Sequence, residues 1–281
     1  MKEKFKSYIK RIIKLISLEE MRILPGHLAF NIVLMIVPIF SIIGVLGSNI
    51  GIDTIVNGLT NNVPDAVMSI IEAALNVKAT GYNVFFFVLF SLWMVSGGCR
   101  AIITSSDILY KVKNKSSLKK YIKSFFMVIV LFLLIGFLII VPIFGDFIVN
   151  FLNNYLKEGG SHILTTIYHL LKYPLSIIMM FILIKFLYTM APSIRIKSKY
   201  MNNGAIFTTL SWFLLTRIYS YHLNNYSNYN LYYGSLSNIL ILLVWVYLLA
   251  YIFMIGLSLN ADNYFFSKQN QEKIENKKEN D

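Results

Sequence analysis

From Gly204 to Asn263 the chain carries two apolar segments, Gly204–Leu223 and Ile239–Asn260, separated by the polar aromatic connection Asn224–Asn238. Arg217 and Asp262 are the charged residues of the whole stretch. Each apolar segment is about twenty residues long, the length at which a helix rising 1.5 Å per residue crosses a hydrocarbon core of about 30 Å. The pair therefore predicts a transmembrane hairpin. Its connection holds no Lys, Arg, Asp or Glu, and the rings of Tyr226, Tyr229, Tyr232 and Tyr233 suit the headgroup level.

The rest of the composition agrees with a bilayer as solvent. Of 281 residues, 56% are hydrophobic and only 14% charged, against about 25% charge in a soluble domain. The single cysteine, Cys99, lies in an apolar run, so neither an intrachain disulfide nor a cysteine metal site is available. The basic N-terminus lacks a short apolar stretch ending in a small-residue cleavage site, so the first span is expected to do the targeting.

Read in order, the chain predicts an all-α polytopic membrane protein. Phe5, Tyr8, Ile9, Ile12, Ile13 and Ile16 recur at spacings of three and four among lysines, the pattern of an amphipathic helix lying in the interface, within a segment 1–22. A membrane domain, 23–265, follows with six spans: His27–Gly47, Asn83–Ile103 continuing as helix to Tyr110, Ser124–Phe144, Tyr173–Ala191, and the two arms of the hairpin. Pro38 falls mid-span, where neighbours must satisfy the freed carbonyl. The external connections are expected to form short amphipathic helices at Val63–Val77 and around Phe147–Tyr155. The tail 266–281 holds too little apolar surface to fold and is expected to be disordered.

Charge orients the spans. Twenty of the 26 Lys and Arg residues fall before the first span, in the second-to-third and fourth-to-fifth connections, and in the tail. The opposite connections hold Lys78, Lys157 and Lys172. By the positive-inside rule both termini are expected to be cytoplasmic. The net charge of +12 is thus a topology signal and an attraction to anionic lipid, and its dispersal over four short segments argues against a nucleic-acid partner.

Arg100, Lys185 and Arg217 remain inside spans. An intramembrane cation costs roughly 2.5–3.5 kcal/mol on insertion scales and is a functional candidate by default. Lys185 and Arg217 lie close enough to an interface to snorkel. Arg100 differs, because Ser96, Gly97, Thr104 and Asp107 share its helical face. The candidate substrate-binding set is therefore Arg100, Asp107, Lys185, Arg217, Ser96 and Thr104, with Asp107 two turns away as a partner for Arg100; a plain packing role stays open. Thr208, Thr209, Trp212, Thr216 and Tyr219 form a second polar face, either helix glue or a cavity lining. No catalytic residues, cofactor or metal are indicated. His27, His162, His169 and His222 are scattered and no paired carboxylates share a face.

The segments HLAFNIVLMIVP (His27–Pro38), GCRAIITSSDILY (Gly98–Tyr110), LYTMAPSIRI (Leu187–Ile196), GAIFTTLSWFLL (Gly204–Leu215) and YYGSLSNILILLVWVYL with GLSLNA (Tyr232–Ala261), in this order and spacing, resemble the YihY/BrkB family of bacterial inner-membrane proteins, once widely labelled ribonuclease BN. On these positions the family pattern maps to Ala29, Pro38, Arg100, Tyr110, Pro192, Gly204, Trp212, Tyr233, Gly234, Asn260 and Ala261. Three positions depart from it: Met35 stands for a usual serine, Asp107 for an asparagine and Ser258 for a glutamate. Asp107 or Asp262 is the substitute for that glutamate as a cation's partner. The resemblance implies six membrane helices and an envelope role, in lipid or small-molecule export. The leading reading is a transporter or lipid translocator for an anionic substrate, with membrane lipids as partners. The alternative is a non-transporting scaffold docking an envelope protein. A ribonuclease comes last, for want of metal-holding carboxylates and a basic groove outside the membrane.

Overall fold

The computed structural model describes residues 10–46, 56, 64–76, 82–112, 116–133, 161–226 and 233–279. Among them every regular element is a helix. In chain order these are α1 (10–16), α2 (Glu20–Leu46), α3 (Asp65–Leu75), α4 (Tyr82–Leu109), α5 (117–133), α6 (Ser161–Met190), α7 (Asn202–Tyr226) and α8 (Ser237–Glu279), with short 3-10 turns at Ser198–Met201 and Gly234–Leu236. The molecule is a polytopic membrane protein. Three of its described helical stretches, Glu20–Val45, Asn83–Leu109 and Ser237–Gln269, are long and apolar enough to cross a bilayer.

The other expected spans differ for separate reasons. Within α6 the stretch Pro174–Met190 is apolar apart from Lys185 and shorter than the three. α7 has 25 residues, but its amides, hydroxyls and Arg217 dilute its apolar character below that of the other three. The second half of Ser124–Phe144 and the helix expected around Phe147–Tyr155 lie outside the described residues. α6 itself begins at Ser161, twelve residues before the expected start at Tyr173, and runs on through Pro174.

α2 and α8 form the centre of the bundle, with α4 and α3 against α2, and α7 against both α8 and α6. α2 runs unbroken through Pro25 and Pro38. α3 is the amphipathic helix expected over 63–77, and its apolar residues Val67, Met68, Ile71 and Leu75 are buried. It packs into the bundle so closely that a Cβ at Gly44 would overlap the Leu75 carbonyl.

α7 and α8 are the two arms of the hairpin, locked in antiparallel register by four polar rungs. The Gly204 amide donates to Asn260 Oδ1 at 2.8 Å, and Trp212 Nε1 donates to the Leu249 carbonyl at 2.9 Å. The Tyr219 hydroxyl donates to the Ile241 carbonyl at 3.0 Å. Between them, buried Thr208 meets the Tyr188 hydroxyl of α6 at 2.6 Å, and Tyr188 in turn donates to the Phe253 carbonyl at 2.8 Å. Tyr188 thus ties three helices at one atom. Replacing it by Phe is expected to cost about 1 kcal/mol, since interhelical bonds inside membranes average roughly 0.6 kcal/mol each. Faster labelling of buried Cys99 by a thiol-reactive dye on heating in detergent would report that loss.

The helix α8 does not end near Asn263. It continues through the segment read as a disordered tail as far as Glu279, 43 residues in all. Beyond Asn263 the chain offers no Pro or Gly to stop it. Extending a formed helix fixes one residue per new bond, without the cost of a nucleus. The pair Lys268–Glu272, 3.8 Å apart at the i,i+4 spacing, adds a few tenths of a kcal/mol.

Candidate functional site

Arg100 lies on α4, half-exposed, with its guanidinium 4.2 Å from the centre of the Tyr121 ring on α5. Helical Cβ bonds tilt toward the N-terminus. The Arg100 side chain follows that tilt: Nη1 donates to Ser96 Oγ at 3.2 Å, one turn back, and a Cβ at Gly97 would stand 3.6 Å from Nη2. The charge is therefore turned along its own helix away from the end where Leu109 meets the basic connection. Among the described residues no carboxylate contacts it. Thr104, one turn the other way, is half-exposed on the same helix.

Asp107 does not partner Arg100. It is 4% exposed and its carboxylate is fully engaged elsewhere. Lys120 Nζ of α5 lies 2.8 Å away, and Ser193 donates to it from both its amide and its hydroxyl, each at 2.8 Å. Lys123 adds donations to the carbonyls of Ala191 and Pro192 at 3.1 and 2.6 Å. The end of α4, the start of α5 and the Ala191–Ser193 connection are thus one ionic joint. Helical phase places Asp107 on the face of Arg100, but the neighbours of the last turn decide its partner.

The remaining members of the sequence-derived set do not converge. Lys185 lies 5.8 Å from the Phe181 ring and Arg217 5.4 Å from the Phe213 ring, each one turn back on its own helix. No hydrogen bond, ion pair or ring contact joins either to Arg100. Of the family-pattern positions, Gly204, Trp212 and Asn260 make the α7–α8 rungs, Pro38 and Pro192 are buried, and Tyr233 and Gly234 lead into α8. Close packing explains the glycine at 204, where a Cβ would overlap the Gly256 carbonyl and the Asn260 amide. Gly204, Trp212 and Asn260 thus hold α7 against α8.

A site that sequence reasoning missed lies at the basic end, between α1, the end of α4 and α8. A cavity of about 550 Å³ opens there, with Lys10, Arg11, Lys14 and Lys111 as its cations and Glu20 and Asp262 as its carboxylates. Leu15, Leu18, Leu109, Ala261 and Phe265 supply apolar walls. Arg11 is already committed, pairing with Asp262 through Nε and donating to Asn263 Oδ1 at 2.7 Å. Asp262 is therefore the partner of a cation 251 residues away, on the amphipathic segment expected to lie in the interface. Ser258 lines the same cavity.

Lys111 holds an unusual backbone. Its φ is 52°, the one positive value outside glycine among the described residues. The Val112 amide donates to the Asp107 carbonyl at 2.9 Å and the Lys111 amide to the Ile108 carbonyl at 3.0 Å. This is a Schellman ending, in which the left-handed residue is usually glycine. A lysine there costs about 1 kcal/mol. Nothing in the residue pattern distinguishes it from the other lysines of the connection.

Residues 16–281 match the family described as Virulence factor BrkB. The ribonuclease-like protein YfkH of Bacillus subtilis (strain 168) is 24% identical over 261 residues, covering 91% of this chain and 94% of its own. A UPF0761 membrane protein of Pseudoalteromonas translucida is 31% identical over 75 residues, 27% of this chain and 25% of its own. Another, from Idiomarina loihiensis, is 30% identical over 90 residues, 31% of this chain and 32% of its own. No solved structure matches the chain.

Proposed function

We propose that this chain, which belongs to the virulence factor BrkB family, is a carrier which moves an anionic amphiphile across a bacterial cytoplasmic membrane. In this reading six spans hold both termini in the cytoplasm, and the protein is not an enzyme. The membrane-protein names of two relatives support the setting. One observation carries the mechanism. The Arg100 guanidinium is held back along its span, against Tyr121 and Ser96, with no carboxylate among the described residues to neutralise it.

A cation inside a span without an acid attracts an anion, and the Tyr121 ring face stabilises it by about 1 kcal/mol meanwhile. A headgroup phosphate or carboxylate arriving along α4 meets a planar donor already oriented for bidentate contact. Lys185 and Arg217 lie on other helices and serve here at most as attraction at the two interfaces. The test is movement of a fluorescent anionic-headgroup lipid in vesicles reconstituted with the protein. Arg100→Gln is expected to slow movement at least tenfold, and Arg100→Lys to restore part of it, the charge returning without the fork. Movement at the wild-type rate in Arg100→Gln would reject the carrier mechanism and leave a scaffold as the better reading.

A further inference from the structure

We infer that the crevice at the basic end is a binding site for a phosphate-bearing anion, held by Lys10, Lys14 and Lys111. The inference uses none of the residues assigned to transport and holds equally for a protein that moves nothing.

Charge carries the first step. Four cations face two carboxylates, and the Arg11–Asp262 pair removes one of each. Three lysines then stand against Glu20, and none of the three makes an ion pair among the described residues. The excess of positive charge calls for a compact anion of one or two charges.

Geometry carries the second. Lys10 and Lys14 are one turn apart and share a face of α1, while Lys111 comes from the turn that ends α4. The ammonium groups thus belong to two elements that border one space of about 550 Å³, within the usual range for small-molecule sites. A single basic helix face would attract anions diffusely; two elements bordering a cavity enclose one.

The strain at Lys111 is the independent sign. Glycine fits that turn without penalty, so the lysine is a departure from the backbone's own preference, and such departures gather at functional sites. The apolar walls at Leu15, Leu18, Leu109 and Phe265 suit the glycerol and first methylenes of a lipid. Basic pockets between helices at the membrane surface are where anionic headgroups collect. The same lysines would take a free phosphate, so the source has to be separated by experiment.

The experiment is intact-protein mass spectrometry on the full chain in detergent, titrated with phosphatidylglycerol. Diacylglycerol of the same chains is the control and sodium phosphate the competitor. The expected result is a phosphatidylglycerol adduct that diacylglycerol does not reproduce. Its affinity falls about fivefold in each of Lys14→Gln and Lys111→Gly, the loss of one surface lysine, and is unchanged in Lys268→Gln, an exposed cation of α8 that does not border the crevice. Displacement by phosphate identifies a site open to the free ion, and persistence against it identifies the lipid as the source. Lys111→Gly keeps the fold secure, since glycine is the residue the turn prefers. Unchanged affinity in both lysine variants, or equal binding of diacylglycerol, overturns the inference.

Discussion

Gly256→Ala is expected to destabilise the bundle by about 2–3 kcal/mol. A methyl group at this point of α8 would occupy the space of Thr208 Oγ1 and the Tyr188 hydroxyl and press on the Gly204 carbonyl. The first two are bonded to each other at 2.6 Å, so neither moves without loss of the joint that ties α6, α7 and α8. Overpacking a close contact costs about 1–3 kcal/mol, and broken interhelical bonds add roughly 0.6 kcal/mol each. The gain of about 1 kcal/mol in helix propensity that alanine brings does not offset these. Gly26→Ala is the counterpart with the opposite sign: it sits within α2 and a Cβ there meets nothing within 4 Å. It is expected to be neutral or stabilising by up to about 1 kcal/mol. Cys99 is the chain's single cysteine and is fully buried. Its labelling by a thiol-reactive dye on heating therefore reports global opening, and the two variants should shift the midpoint in opposite directions. Equal midpoints would mean that the crossing is looser than its geometry implies.

The second large effect is expected at the ionic joint. Asp107→Asn should cost about 3 kcal/mol, the lower end for breaking a buried pair, because the side chain of Lys120 is 25% exposed and can turn to water. The asparagine keeps one acceptor for Ser193 but leaves the second donor and the ammonium without their carboxylate. Thermal labelling of Cys99 again measures it, with Lys120→Gln and the double variant completing a cycle. The expected coupling is above 1 kcal/mol. Combining Asp107→Asn with Arg100→Gln should instead be additive within about 0.5 kcal/mol, since the two residues share no contact. A coupling between Asp107 and Arg100 as large as that with Lys120 would restore the pairing that helical phase suggested.

That pairing illustrates what a one-dimensional reading can reach. Ser96, Arg100, Thr104 and Asp107 do lie along one helix, as their spacing requires, yet their partners differ: Ser96 is taken by Arg100, Asp107 by Lys120 and Ser193. Spacing fixes which residues share a face and is silent on what arrives to meet them. The cationic crevice shows the same limit more sharply. Lys10, Arg11, Lys14 and Lys111 are readable as topology charges, but they border one cavity only because α1 folds back onto the end of α8. The signal that singles out Lys111, a positive φ of 52°, has no counterpart in residue type.

Residue type alone therefore settles what depends on the solvent. Low charge density and twenty-residue apolar runs leave a helix as the one way to satisfy backbone groups in hydrocarbon, so the membrane, the helices, the α7–α8 hairpin and the amphipathic α3 were legible. The tail follows a related rule. Apolar content measures burial, whereas propagation of α8 to Glu279 needs only an existing helix and no breaker. What the tertiary structure alone decided is which polar groups meet across helices. A hydrogen bond or ion pair is settled within a few ångströms, and separations of 86 residues for Asp107 and Ser193 or 251 for Arg11 and Asp262 are closed only when every helix between them has packed.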